Sequence, residues 1–114
     1  MDNEKFLNYW QDMYSKENIF GTGPTKLAKL AMEVILKNHL TKILEIGCGQ
    51  GRDAIFFSQN KIRIDAFDIS RNAINFINKI KDEKNLELLK VFVHDATVPL
   101  NEPNIGYDFA YSNL

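Results

Sequence analysis

"ILEIGCGQGRD", residues 43–53, decides how this chain is read. A short apolar run ends in glycines at every second position, Gly47, Gly49 and Gly51, followed by Arg52 and Asp53. The pattern predicts a buried strand, a tight turn and the start of a helix. Glycine lacks the Cβ that would hold a ligand away, and it tolerates positive φ angles. A helix start adds N–H groups without intrahelical partners and a partial positive charge. The stretch therefore predicts a place where backbone comes close to a polar ligand.

Upstream, Leu27, Leu30, Ala31, Val34 and Ile35 form an apolar stripe between Thr25 and about Lys37, which predicts an amphipathic helix with that stripe on the core. Earlier still, Phe6, Leu7, Trp10, Met13 and Tyr14 recur at helical spacing over residues 3–15, and "NIFGTGP" breaks the pattern. Downstream, "RDAIFFSQN" continues the helix that the glycines open. "KIRIDAFDIS" alternates as a strand does, with Ile62, Ile64, Ala66 and Asp68 on related faces. Ser70 is a good N-cap for a helix carrying Ala73, Ile74, Ile77 and Ile80. "LLKVFVHD" alternates again at Leu89, Val91 and Val93, "TVPLNEPNIG" is too irregular for a helix, and "YDFAYSNL" supplies a last strand. Strands alternating with amphipathic helices predict an α/β fold with a parallel sheet.

The bulk properties agree and exclude several function classes. A chain of 114 residues is one small domain, and 45% hydrophobic with 25% charged residues is ordinary for a globular protein. A formal net charge of −1 leaves no basic footprint for nucleic acid or an anionic membrane. No apolar run reaches the roughly 20 residues of a membrane span. The acidic, aromatic N-terminus is unlike a secretory signal. The single cysteine, Cys48, excludes an internal disulfide and a multi-cysteine zinc site. These features together predict a cytoplasmic protein without a metal site.

In an open α/β sheet, ligands sit outside the carboxyl ends of the strands. The candidate polar residues all fall at such ends: Glu45 to Gly51, Asp68, Asp95, and Ser112 with Asn113. A dinucleotide fingerprint, G-x-G-x-x-G, would need its third glycine at position 52, which is arginine. Asp68 can accept from both hydroxyls of a ribose, and Asp95, acceptor-only when ionised, suits an exocyclic amine such as adenine's. The set describes a nucleoside with an amino-acid-like end better than a pyrophosphate. Taken singly, each residue also has a plain structural use: the glycines as a turn, Asp68 as the lead into the Ser70 cap, Asp95 as a turn opener. Cys48, near a helix start where thiol pKa values fall, reads as a small loop residue rather than a nucleophile. His94 reads as a structural strand-end histidine.

"ILEIGCGQGRD", "IDAFDIS" and "VFVHDAT" resemble three successive cofactor segments of the class I S-adenosylmethionine-dependent methyltransferases. More narrowly, "GCGQGRDAIFFSQ" and the N-terminal "YWQDMYSKENIFGTGP" resemble the tellurite-resistance and thiopurine methyltransferase-like branch. The resemblance implies a Rossmann-like three-layer sandwich with sheet order 3-2-1-4 and two N-terminal helices. It makes residues 1–40 a helical cap and 41–114 the cofactor-binding half of one domain.

It also implies roles residue by residue. Gly47, Cys48 and Gly49 would wrap the methionine part of S-adenosyl-L-methionine, with Gly51 completing the loop, and Glu45 would hold the loop and the methionine ammonium. Asp68 would take the ribose, Ile69 would pack on adenine, and Asp95 with the Ala96 N–H would read the adenine edge. Arg52 and Asp53 would lie near the methionine carboxylate, with Tyr14 closing over it. Ser112 and Asn113 would border the methyl group. No catalytic residue is implied. The expected function is methyl transfer to a small molecule or ion. A non-catalytic S-adenosylmethionine-binding module is the alternative, and a dinucleotide-dependent oxidoreductase ranks below both. Sheets of that family continue past a fourth strand, so the chain is expected to be incomplete at its C-terminus or to cover an open edge as a homodimer.

Overall fold

The computed structural model describes residues 23–100 and 106–113. The first expected helix, with Tyr14, lies outside these residues. Helix α1 (Lys26–Lys37) is followed by β1 (Ile43–Ile46), α2 (Arg52–Gln59), β2 (Ile64–Asp68), α3 (Arg71–Lys84), β3 (Leu89–Val93) and β4 (Phe109–Tyr111). The four strands form one parallel sheet in the order β3-β2-β1-β4, as expected of a Rossmann-like fold. Ile43 sits between Ile64 on one side and Phe109 on the other, and Ile64 pairs with Leu89. Strand β1 is central, which explains its unbroken apolar run Ile43-Leu44 and the burial of its third residue, Glu45.

Local chemistry sets the helix starts. Thr25 Oγ1 accepts from the Ala28 N–H at 3.1 Å, and Ser70 Oγ accepts from the Ala73 N–H at 3.2 Å. Each satisfies one of the donors that a helix start leaves open, worth about 1 kcal/mol. Helix α2 has no such side chain, because its N-cap is Gly51 in the left-handed region at φ 80°. Helix α3 ends on Asn85, also left-handed at φ 55°.

The core joins Ile35, Ile43, Phe57, Ile64, Ile77 and Leu89, all fully buried. The Phe57 ring meets Tyr111 edge-on, with centroids 5.4 Å apart. Helix α1 departs from expectation. It buries Ala28, Ala31 and Ile35, whereas Leu27, Leu30 and Val34 are 45%, 59% and 45% exposed. The helix packs against α2, and two alanines on the contact face permit a closer approach than leucines would. The buried face is therefore rotated from the face that the largest residues mark. No helix among the described residues is long and apolar enough to cross a membrane.

Candidate functional site at the strand ends

The glycine loop leaves β1 at the carboxyl end of the sheet. Gly47, Gly49 and Gly51 have φ values of 70°, 57° and 80°, so all three adopt the backbone conformation that favours glycine. Four of the loop's N–H groups are turned inward. Those of Gly47 and Cys48 both donate to Phe67 O, at 2.9 and 3.0 Å, the Gly49 N–H donates to Asp68 Oδ2 at 2.9 Å, and the Gly51 N–H donates to Cys48 O at 2.9 Å. These four donors stitch the loop to β2 and to itself, and they are spent before any anion arrives. A pyrophosphate cradle uses such groups the other way round.

Beneath the loop lie acidic groups. Glu45 is 3% exposed, and its Oε1 has no hydrogen-bond partner. Burial pushes its carboxyl well above the ordinary value, and the charges of Asp53 and Asp68 push in the same direction. A buried acceptor left without a donor is costly, so the position suits a ligand that brings a donor, preferably a cationic one. Among the described residues, no group of three His, Cys, Asp or Glu side chains has the arrangement to hold a metal ion.

Asp68 is buried, and both its oxygens are in use: Oδ2 receives the Gly49 N–H and Oδ1 the Ser70 N–H, each at 2.9 Å. The structural and binding readings of Asp68 are therefore compatible, since a carboxylate oxygen has room for a further donor. Ile69 beside it is half-buried. Asp95 Oδ1 accepts from the Thr97 N–H and hydroxyl at 2.9 and 2.8 Å, which lowers its pKa, the backbone bond contributing most. Its second oxygen keeps its acceptor capacity. Ala96 is exposed in the same turn. His94 has a structural setting: its N–H donates to Asp68 O at 3.0 Å, Nε2 lies 2.7 Å from Val98 O, and its ring meets Phe67 edge-on.

One expectation about Cys48 is corrected. Its thiol is pushed up rather than down, first by burial, then by the charges of Glu45 and Asp68. Desolvation outweighs the helix start.

Arg52 and Asp53 occupy the first turn of α2, and both reach the segment that enters α1. Arg52 Nε donates to Gly23 O at 2.7 Å. Asp53 is 3% exposed and gathers donors from far along the chain. Its Oδ1 accepts the Thr25 N–H at 2.9 Å, and its Oδ2 accepts the Thr25 hydroxyl at 2.9 Å, the Tyr111 hydroxyl at 2.6 Å and Asn113 Nδ2 at 3.4 Å. Burial first, and then this bond, raise the Tyr111 hydroxyl pKa above its ordinary value. Ser112 Oγ donates to Ile46 O at 3.0 Å. Thr25 and Tyr111 were missed by sequence reasoning. A first-turn acid beside a helix N-cap threonine gave only a faint signal, since these partners lie 28 and 58 residues from Asp53.

Of the expected residues, Glu45, Gly47, Cys48, Gly49, Gly51, Arg52, Asp53, Asp68, Asn113 and Ser112 thus meet around one loop. Asp95 and Ala96 stand at the neighbouring strand end, two and three residues beyond β3 and joined to Asp68 through His94.

Comparison with known proteins follows this geometry. A Haemophilus influenzae protein described as a probable S-adenosyl-L-methionine-dependent methyltransferase TehB is 33% identical over 75 residues, covering 64% of this chain and 24% of that protein. The aligned part is thus about a quarter of the length of the curated relatives it matches. The crystal structure of TehB from Haemophilus influenzae superposes with a TM-score of 0.62 at 27% identity, covering 93% of this chain and 33% of that one. Coclaurine N-methyltransferase, solved with N-methylheliamine and SAH, gives a TM-score of 0.61 at 19% identity, covering 92% and 35% of the two chains, a likeness of fold. The family model for tellurite resistance protein TehB matches residues 3–114. With glycine loop, strand-end acids and sheet order in the same chain, the match leaves one assignment: the chain belongs to the TehB family.

Proposed function

We propose that this chain forms the cofactor site of an S-adenosyl-L-methionine-dependent methyltransferase whose methyl acceptor is a small molecule or ion. One observation carries the reading: four of the loop's N–H donors are spent internally, while Glu45 Oε1 is buried without a donor. Such a site rejects a pyrophosphate and accepts a positively charged ligand. When bound, the cofactor supplies a sulfonium leaving group that makes its methyl carbon electrophilic. The names of the relatives support this choice of ligand.

The residues fit that ligand. Glu45 would accept from the methionine ammonium. Asp68 would add ribose hydroxyls to the two backbone donors it already holds, and Ile69 would cover one face of the adenine. Asp95 and the Ala96 N–H would read the adenine edge. Ser112 and Asn113 would line the methyl-bearing side. The chain's contribution to rate is position and exclusion of water. A cytoplasmic setting accords with the single buried cysteine. Pairing of two copies along the outer edge of β4 belongs to the same reading, and sedimentation at several concentrations checks it.

Calorimetric titration with S-adenosylhomocysteine, the stable product, tests the reading. The expected result is micromolar affinity, about −8 kcal/mol, and no comparable heat with NADH. Binding of NADH in its place would sink the proposal. Methyl transfer to any acceptor would then separate an enzyme from a binding module.

A further inference from the structure

Among the described residues, Asp53 gathers four hydrogen-bond donors, and nothing about it calls for a ligand. Its neighbour in the cluster, Glu45, has an oxygen without a donor; Asp53 has four donors. The hydroxyl hydrogens of Thr25 and Tyr111 both go to its Oδ2, so the 3.3 Å contact between those two oxygens has no proton of its own. Thr25 Oγ1 meanwhile accepts from the Ala28 N–H and from Asn113 Nδ2. The network joins the start of α1, the start of α2 and the end of β4.

Its place relative to the loop gives it a use. Ser112 is tied to Ile46, just before the loop, while Tyr111 and Asn113 are tied to Asp53, just after it. The glycine loop is therefore clamped at both ends to one stretch at the β4 end, by Ser112 before it and by Tyr111 and Asn113 after it. Arg52, held to Gly23 O, fastens the segment entering α1 to the same point.

We propose that Asp53 is a positioning residue: by gathering Thr25, Tyr111 and Asn113 onto one buried carboxylate, it fixes the glycine loop against the β4 end and so sets ligand affinity without touching the ligand. The affinity clause rests on the loop being the cofactor site proposed above.

Asp53→Asn is the informative variant, because it preserves shape. Either orientation of the amide sets an NH2 group against a donor, at Thr25 N in one and at the Thr25, Tyr111 and Asn113 groups in the other. Asp108→Asn is the control. Asp108 Oδ2 also accepts three donors, from Thr41 and Lys42, at the opposite end of the sheet. Three quantities are read on the 114-residue chain: thermal midpoint, S-adenosylhomocysteine affinity, and amide exchange at residues 23–25, 47–51 and 111–113.

Both substitutions should lower the midpoint. Only Asp53→Asn should weaken binding tenfold or more and quicken exchange at all three segments. Equal loss of stability in the two variants, with affinity within twofold of the native chain, overturns the proposal. If the native chain itself does not bind, the cofactor reading has failed and exchange alone decides. Joint quickening of the three segments then upholds the positioning role, and unchanged exchange at 47–51 refutes it. Should Asp53→Asn fail to fold, Tyr111→Phe removes one donor while keeping the ring edge on Phe57, and is judged by the same readings.

Discussion

Glu45 carries the cost of a buried carboxyl oxygen without a hydrogen-bond donor, a cost that the proposed ligand would remove. Its pKa is raised above the ordinary 4.5 by burial first, then by Asp53 and Asp68; Cys48 and Tyr111 are the other titratable groups linked to it, both with raised pKa values. Because its folded pKa lies above its unfolded one, its contribution to stability is fully present below pH 4.5 and is lost as pH rises through the folded value. Glu45→Gln should flatten that decline in the ligand-free chain, as thermal melts across the acidic and neutral range would record. A cationic ligand reverses the sign. Pairing with an ammonium favours the ionised carboxylate, so binding releases a proton, and affinity rises with pH by up to tenfold per unit until Glu45 is ionised in the free protein. Calorimetry in buffers of different ionisation enthalpy counts the proton. An affinity flat with pH, with no proton released, would remove Glu45 from the ligand's contacts, and an unchanged affinity in Glu45→Gln would do the same.

At the scale of elements, Gly51 at the start of α2 lies against Ile77 of α3. Gly51 has φ 80°, and a Cβ there would lie 2.7 Å from Ile77 Cγ1 and 2.8 Å from Cδ1, in a side chain that is fully buried. Gly51→Ala should cost about 2–5 kcal/mol, combining left-handed backbone strain with overpacking. Ile77→Ala alone leaves a cavity and costs a similar amount. Together they should cost less than their sum, since the alanine at 51 enters the space that Ile77 vacates; additive denaturation free energies would place the strain elsewhere. The sequence made the glycine spacing legible, but not the residue that Gly51 must clear, 26 positions on. The same limit divides the other expectations. Strand alternation and the Ser70 cap are local and could be read directly, and the sheet order was implied by the family resemblance. The face on which α1 packs, and the partners of Asp53, are settled by contacts between distant segments. Of the stripe expected on α1, packing buries Ala31 and Ile35, adds Ala28, and leaves Leu27, Leu30 and Val34 exposed.

Across the whole molecule, the candidate site touches every strand. The glycine loop follows β1, Asp68 closes β2, Asp95 stands just beyond β3, and Ser112 with Asn113 extends β4. A ligand seated there spans the sheet from edge to edge among the described residues, so its binding should stabilise one cooperative unit rather than a loop. For a ligand that binds only the folded chain, the gain at a concentration 100 times its Kd is about 2.7 kcal/mol. In a domain of this size that raises the thermal midpoint by on the order of 10 °C. The test compares the shift obtained with S-adenosylhomocysteine against the shift calculated from its calorimetric Kd. Agreement means that loop and strands unfold together. A ligand that calorimetry shows to be bound, but that leaves the midpoint unmoved, would mean that the strand ends open before the core melts. The site would then be a local assembly resting on the sheet rather than part of its cooperative fold.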